Sequence, residues 1–315
     1  MNDAAADPVA GAPACYRVVH DTQYHYANPV ALSQQLMRLT PRNLPWQRRI
    51  RHNIAIEPEP SEEREREDYF GNIVRQVLLA APHDLLAVRA ESVVELRPHA
   101  AQALACADGA WEALRDQLHR STPHPLFDPA HYLYESPQIE RLPELSQYAQ
   151  PSFPAGRGVL AAARDLTRRI HADFEFDPKA TGVTTRLREV LERRRGVCQD
   201  FAHLMIGCLR SIGLAARYVS GYILTTPPPG HARLVGADAS HAWVSVYSAD
   251  AGWVDLDPTN DCVVDDEHIT LAWGRDFSDV TPMRGVILGG GEQELAVHVT
   301  VDPAVEAEPA AAAPD

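Results

Sequence analysis

The amino-acid sequence predicts an α+β protein of about two domains: an antiparallel, sandwich-like β domain, then helices followed by a second antiparallel sheet. Three observations carry that prediction. Residues 14–100 hold short β-compatible runs, several of them alternating apolar with polar, separated by turn residues. Residues 158–212 switch to helical spacing. From 216 onward short strand-like runs return.

The front strands are expected at 16–20, 33–39, 52–56, 73–79 and 85–96. Between them Asn28-Pro29, Pro41, Pro58-Glu59-Pro60, Gly71-Asn72 and Pro82 act as turn punctuation. Strands at this spacing suggest an antiparallel sandwich. The charge run at 62–68 fits a solvated loop or an edge strand. Residues 101–155 read as a helical and Pro-rich linker, with one short helix at 111–120 and the domain boundary inside it.

The second domain is drawn at 156–302. Residues 158–172 place apolar side chains at 159, 160, 163, 166 and 170, one helix face. Thr185 is expected to cap a helix through 194, with Leu187, Val190 and Leu191 on one side. A third helix runs over 198–212 and stops at Gly213. Strands follow at 216–224, 242–247 and 253–256, with a surface loop at 227–230 and closing strands at 286–288 and 296–301. The ends, 1–13 and 303–315, are Ala-, Asp-, Glu- and Pro-rich and are expected to be disordered tails.

Composition excludes several functions. Lys plus Arg total 29 against 43 Asp plus Glu, a net charge of −14, which argues against binding nucleic acid or an anionic membrane. No uncharged apolar run approaches the ~18–20 residues that span a bilayer. The start, Met1-Asn2-Asp3-Ala4, has no basic region ahead of an apolar stretch. The five cysteines (15, 106, 198, 208, 262) are scattered without a C-x-x-C pair, so thiols in a reducing, cytoplasmic compartment are expected. No Cys/His cluster has zinc spacing, and no metal or cofactor is expected.

Two segments concentrate reactive groups. In the first, Gly196 allows a tight entry and Cys198 sits in the first turn of an otherwise apolar helix. Unpaired N–H groups and the helix dipole favour a thiolate there, the nucleophilic form of cysteine. Free cysteine is often only a small buried hydrophobe. Cys208, mid-helix among Leu204, Met205 and Leu209, fits that description, whereas the terminal Cys198 does not.

The second segment, 241–259, reads as a β-hairpin. Even-numbered Ala242, Val244, Val246, Val254 and Leu256 make its apolar faces, so His241, Trp243, Tyr247, Trp253, Asp255 and Asp257 share the opposite face. A turn centred near Ala249 sets His241 across from Asp257, with Asp255 one pair nearer the turn and the weaker candidate. A carboxylate on one imidazole nitrogen leaves the other to face a thiol. The other histidines have blander roles. His203, five positions along the helix, faces away from Cys198; His20 and His25 flank a strand junction; His119 and His124 lie in polar loop sequence.

Taken together, residues 194–203, 213–222, 241–244 and 252–259 resemble the transglutaminase-like superfamily, with Cys, His and Asp in its order. The sequence is most similar to the bacterial transglutaminase-like cysteine peptidase group. The stretches 16–26, 36–41 and 68–72 are similar to that group's N-terminal β domain, and 274–286 fits it as well. The resemblance covers about 16–301 and implies a papain-like, transglutaminase-like α+β core. It assigns Cys198 as nucleophile, His241 as general base and acid, and Asp257 as the residue orienting the imidazole.

That resemblance implies attack on a peptide or carboxamide carbonyl through a thioester, with a peptide or protein substrate and hydrolysis ahead of cross-linking. For the oxyanion, the Cys198 backbone N–H is the first donor, with Gln199 or Tyr222 as the second and Trp243 lining the substrate site. Calcium dependence is not carried over, because no Asp-rich ligand loop is present and Asp265-Asp266 fits an ordinary loop. The rival reading is a peptide- or protein-binding module that keeps the fold without the chemistry.

Overall fold

One long strand organises the front of the protein in the computed structural model, which describes residues 12–120, 127–180, 182, 185–224 and 240–304. β1 (Ala14–Met37), β2 (Gln47–Glu57), β3 (Glu62–Glu67), β4 (Ile73–Leu79) and β5 (His83–Leu96) form an antiparallel sheet in the order β2-β5-β1-β4-β3. The first half of β1 pairs with β5 and the second half with β4, with the register shifting around Val30. Two arms result, and they close over a shared core. Tyr26, Ile54, Leu86 and Val88 of one arm meet Met37, Leu39, Val77 and Leu79 of the other. Asn28-Pro29, expected to separate two strands, stays inside β1 at this bend, and fully buried Val30 anchors it. The charge run is an edge strand: all six residues of β3 are exposed, and Arg75 bridges Glu63 and Glu65.

The expected linker is instead part of the packed structure. It holds α1 (Ala100–Leu104), α2 (Trp111–His119), α3 (Phe127–Ala130) and α4 (Pro143–Ala149). Leu114, Leu118, Tyr132, Ile139, Leu145 and Phe153 are buried in the main core. Its prolines misled the sequence reading, because Pro143 opens a helix at a position where no N–H is needed.

α5 (Val159–Asp173) buries Val159, Ala163, Leu166 and Ile170. The short β6 (Glu175–Phe176) follows, then α6 (Leu187–Arg193), β7 (Arg195–Gly196) and α7 (Cys198–Ser211). Thr185 does not cap α6; its hydroxyl accepts the Gly182 N–H at 2.9 Å, and the helix starts later. α7 is buried along nearly its whole length, so it is mostly apolar and its buried Asp200, His203 and Arg210 are each hydrogen-bonded.

β8 (Ala216–Ile223), β9 (His241–Ser248), β10 (Gly252–Asp257), β11 (Cys262–Val263) and β12 (His268–Gly274) form the second sheet, in the order β11-β10-β9-β8-β12. Tyr218, Val244 and Val246 join the main core with α7, whereas Val219, Trp243 and Val264 form a small cluster of their own. After α8 (Phe277–Val280), β13 (Met283–Gly289) and β14 (Gln293–Pro303) return to the first sheet and pair along β1. The expected second domain at 156–302 therefore loses its last two strands to the first domain. They complete the open side of β1, and Pro303 is strand rather than tail. The 227–230 loop, His124, and residues 1–11 and 305–315 of the expected tails lie outside the described residues.

Two buried side-chain amides lock the domains together. Gln47 donates to the Thr270 carbonyl at 2.8 Å and accepts its N–H at 2.7 Å. Asn72 does the same with Trp273, at 2.8 and 2.9 Å. Both imitate a strand partner for β12. No helix among the described residues is long and apolar enough to cross a membrane.

Gly221 on β8 leaves no room for a side chain: a Cβ there would meet the Ile269 carbonyl at 2.1 Å and the Trp243 ring at 2.4 Å. Gly221→Ala is expected to cost about 1–3 kcal/mol through overpacking. Chemical denaturation of the two proteins checks this, and equal midpoints would contradict it.

Candidate active site

The site starts with how α7 begins. A Cβ on Gly196 would meet the Asp200 side chain at 2.7–2.8 Å, so only glycine lets that carboxylate fold back. Asp200 then accepts the Val197 N–H at 2.8 Å, half of a capping box. This fixes Cys198 at the first helical position, half-buried, where its N–H has no intrahelical acceptor. Gln199 occupies the same turn.

The hairpin of β9 and β10 supplies the facing groups. Its register pairs Ser248 with Gly252 and Val244 with Leu256, so Asp257 reaches the level of Trp243, two residues from the expected pairing with His241. The turn is centred one residue later than expected, with Gly252 at φ 71°. A shift of two keeps every side chain on its face. His241 therefore reaches Asp257 diagonally, and Nε2 donates to Asp257 Oδ2 at 2.8 Å. His241 Nδ1 is buried with no hydrogen-bond partner among the described residues, and Cys198 is near enough for its charge to act on the ring.

Asp257 is fully buried and gathers five donors. Oδ2 accepts from His241, from Asn260 Nδ2 at 2.7 Å and from His268 Nε2 at 3.3 Å; Oδ1 accepts the N–H groups of Thr259 at 2.8 Å and Asn260 at 3.3 Å. Burial by itself would push this carboxyl up. The His241 charge and hydrogen bond, with the hydrogen bond and charge of His268, hold it well below the usual carboxylate range. Burial likewise would push the His241 ring down, but Asp257 and then Cys198, through charge and hydrogen bonds, raise it to about 10. The structure thus brings Cys198, His241 and Asp257 into one constellation.

Other expected residues go elsewhere. Trp243 is fully buried and donates Nε1 to Asp255 Oδ2 at 2.9 Å, so it does not line a substrate site and Asp255 is occupied away from His241. Tyr222 is an even-numbered residue on a strand whose Gly221 pairs with His241, so it points to the other face. Its hydroxyl meets His20 Nδ1 of β1 at 2.8 Å, which removes it as an oxyanion donor. His203 is buried and accepts the Phe277 N–H at 3.1 Å. Cys208 is fully buried, and burial pushes its thiol up to about 12.

Sequence reading missed two partners of the carboxylate. Asn260 was legible in principle, because Asp257 accepts N–H groups two and three residues on in an Asx-type turn. His268 had no local signal, since it comes from β12, with two strands between it and β10 in the sheet. The nitrogens and oxygens of His241, Asp257 and His268 lie within 4.8 Å of one another, a grouping of metal-ligating types. Both Nε2 atoms are engaged as donors to the carboxylate, whose remaining capacity Asn260 and the backbone take up, so the set works as a hydrogen-bonded cluster.

Residues 16–95 match the family described as the bacterial transglutaminase-like N-terminal region, and residues 147–258 match the transglutaminase-like superfamily. An uncharacterized protein of Mycobacterium tuberculosis is 39% identical over 297 residues, covering 91% of this chain and 91% of that protein. A protein-glutamine gamma-glutamyltransferase of Pseudomonas aeruginosa is 36% identical over 120 residues, which is 37% of this chain and 17% of that enzyme. A crystal structure from Cytophaga hutchinsonii, provisionally described as a cysteine protease, shares the fold with a TM-score of 0.72 at 18% identity. It covers 96% of this chain and is itself covered to 94%.

The two shifts set opposite pH limits. His241, raised in the fold, adds stability that is complete below the ordinary histidine range and is lost as pH climbs to about 10. Asp257, lowered in the fold, adds stability that is present above the ordinary carboxylate range and is lost as pH falls. Ring-proton NMR should find His241 still protonated at pH 8, and Cys198→Ala should lower its titration point by removing one of the raising charges. A ring already neutral at pH 8 in the native protein would contradict the assignment.

Proposed function

Because the chain belongs to the transglutaminase-like superfamily, we propose that it is a cysteine-dependent acyl-transfer enzyme acting on peptide or carboxamide bonds. The observation that carries this reading is a buried imidazole held by Asp257 through Nε2, with Nδ1 unengaged and Cys198, at a helix N-terminus, acting on the ring. In the proposed cycle the Cys198 sulfur attacks the carbonyl carbon, and the oxygen takes the negative charge beside the Cys198 N–H. His241 gives its proton to the departing nitrogen, the C–N bond breaks, and a thioester remains. Water then attacks the thioester while His241 takes its proton; the acid leaves and the sulfur is restored. Asp257 keeps the ring oriented and stabilises its charged form throughout.

We place hydrolysis ahead of cross-linking, and the acceptor in the second step is what separates them. The proteins compared are the native enzyme, Cys198→Ala and His241→Ala, incubated with a peptide library with and without a primary amine and read by mass. Hydrolysed products should dominate without amine. Cys198→Ala should lose turnover by at least about 10⁴-fold, and His241→Ala by a similar factor because the two act as a unit. A thiol-reactive probe near neutral pH should label Cys198 well ahead of Cys208. A fully active Cys198→Ala protein would refute the proposal, and unselective labelling together with no turnover would favour a binding module.

A further inference from the structure

Two buried arginines in the second domain differ in how their donors are met. Arg210 donates to the carbonyls of Tyr134, Ala216 and Arg275 and to the Ser136 hydroxyl. Arg217 is 7% exposed, yet its Nε has no acceptor, and its side-chain hydrogen bond is to the Tyr132 hydroxyl. Asp255 and Asp128 act on it only through their charge. A guanidinium carries five donors in a fixed fork, and burying them unmet is costly. Arg210 shows what the satisfied case looks like in this same fold.

Arg217 is held in place by stacking. Its Cζ lies 4.3 Å from the Trp253 ring centroid and 3.9 Å from that of Trp273. Arg42 lies 3.6 Å from the Trp273 centroid. Two guanidinium groups so close to one indole cannot share a face, so Trp273 is sandwiched between them. Arg217 lines a cavity of about 650 Å³, within the usual range for ligand sites. Trp46, Tyr69 and Phe70 of the first domain and Tyr132, Trp253 and Trp273 complete its walls. Tyr69 and Phe70 belong to the 68–72 turn that marks the first domain in the sequence, and no step of the proposed chemistry uses it. Asn72 clamps that turn onto Trp273, so the cavity exists only because the two domains are locked.

The walls fix the chemistry of the occupant. Guanidinium groups already cover Trp273 and stack on Trp253, and Trp46 stacks on His99, which disfavours the cavity as a cage for a cation. Asp128 is engaged by Trp253 Nε1 at 3.1 Å. What remains is a guanidinium with an unmet donor in the wall of an aromatic cleft, which suits a carboxylate on an aromatic or large apolar body. We propose that this cavity binds a peptide through its carboxylate and an adjacent aromatic side chain, with Arg217 as the carboxylate receptor. Trp253 lies four residues from Asp257 along β10, about 13 Å at ~3.3 Å per residue. Cys198, His241 and Asp257 are not among the residues that line the cavity, so the proposal holds whether or not Cys198 is a nucleophile.

The test titrates the full-length Cys198→Ala protein, to prevent turnover, with three probes. These are N-acetyl-phenylalanine, its amide, and N-acetyl-phenylalanyl-glutamate amide, followed by tryptophan fluorescence and indole N–H resonances. The carboxylate probes should saturate and shift the Trp253 signal, and the plain amide should bind at least tenfold more weakly. Preference for the first probe identifies the C-terminal carboxylate of a peptide, and preference for the third an acidic side chain. Arg217→Gln should abolish the carboxylate preference. Tyr69→Ala, on the exposed rim, should weaken all binding tenfold at unchanged stability, so the test survives if the arginine variant fails to fold. Equal binding of acid and amide, no saturation by any probe, or full binding by Tyr69→Ala would overturn the proposal.

Discussion

A single buried carboxylate sets the geometry on which the rest of the site depends. An ionised Asp257 with no exposed surface is tolerable only because five donors surround it. Those donors come from three places: the opposite strand of the hairpin, the turn that follows Asp257, and β12. Each must be in position for the charge to stay buried, so one electrostatic requirement ties the hairpin register, the 258–260 turn and the far edge of the sheet together. The carboxylate also decides the chemistry of the ring. By engaging Nε2 it leaves Nδ1 unengaged on a ring that Cys198 also acts on.

The first domain enters the same requirement through β12. That strand carries His268, and its backbone is held by Gln47 and Asn72, two residues of the first domain. His20 of β1 bonds Tyr222 on the neighbouring β8. β13 and β14 then run back along β1, so the chain leaves the second sheet only to re-enter the first. A domain that looks like an independent β unit in sequence is therefore a structural support for the sheet bearing His241 and Asp257.

What was legible in the sequence was local, and what was not required long-range pairing. β4 is found where expected, at Ile73–Leu79, because alternation and flanking turn residues define it without outside help. The helix face of α5 and the shared odd-numbered face of the hairpin were also legible, since each follows from a period of 3.6 or 2. Parity survived even where register failed, because the turn moved the pairing by two and not by one. Tyr222 and Trp243 failed for the opposite reason. Aromatic residues beside a reactive motif suggest substrate contact, but their polar atoms were taken by His20, from the other sheet, and by Asp255, across the hairpin. The prolines of 101–155 misled because a proline that opens a helix and a proline in a loop look alike one residue at a time. The β13–β14 return and the His268 contact lie 11 or more residues from what they touch, beyond the reach of any local pattern.

The proton balance also decides the order of events at the proposed reacting centre. An imidazole raised to about 10 keeps its proton at neutral pH, so it is not a base waiting to be charged. It begins as the acid, and the step it is ready for is donation to the departing nitrogen. Only after that donation is the ring neutral and able to take a proton from water. Asp257 favours the charged ring at both ends of this cycle, which makes the neutral ring the high-energy form and the return of the proton downhill. The same buried charge that demands five donors thus biases the chemistry toward restoring the starting state, and a site so arranged needs no further ionisable group to reset it.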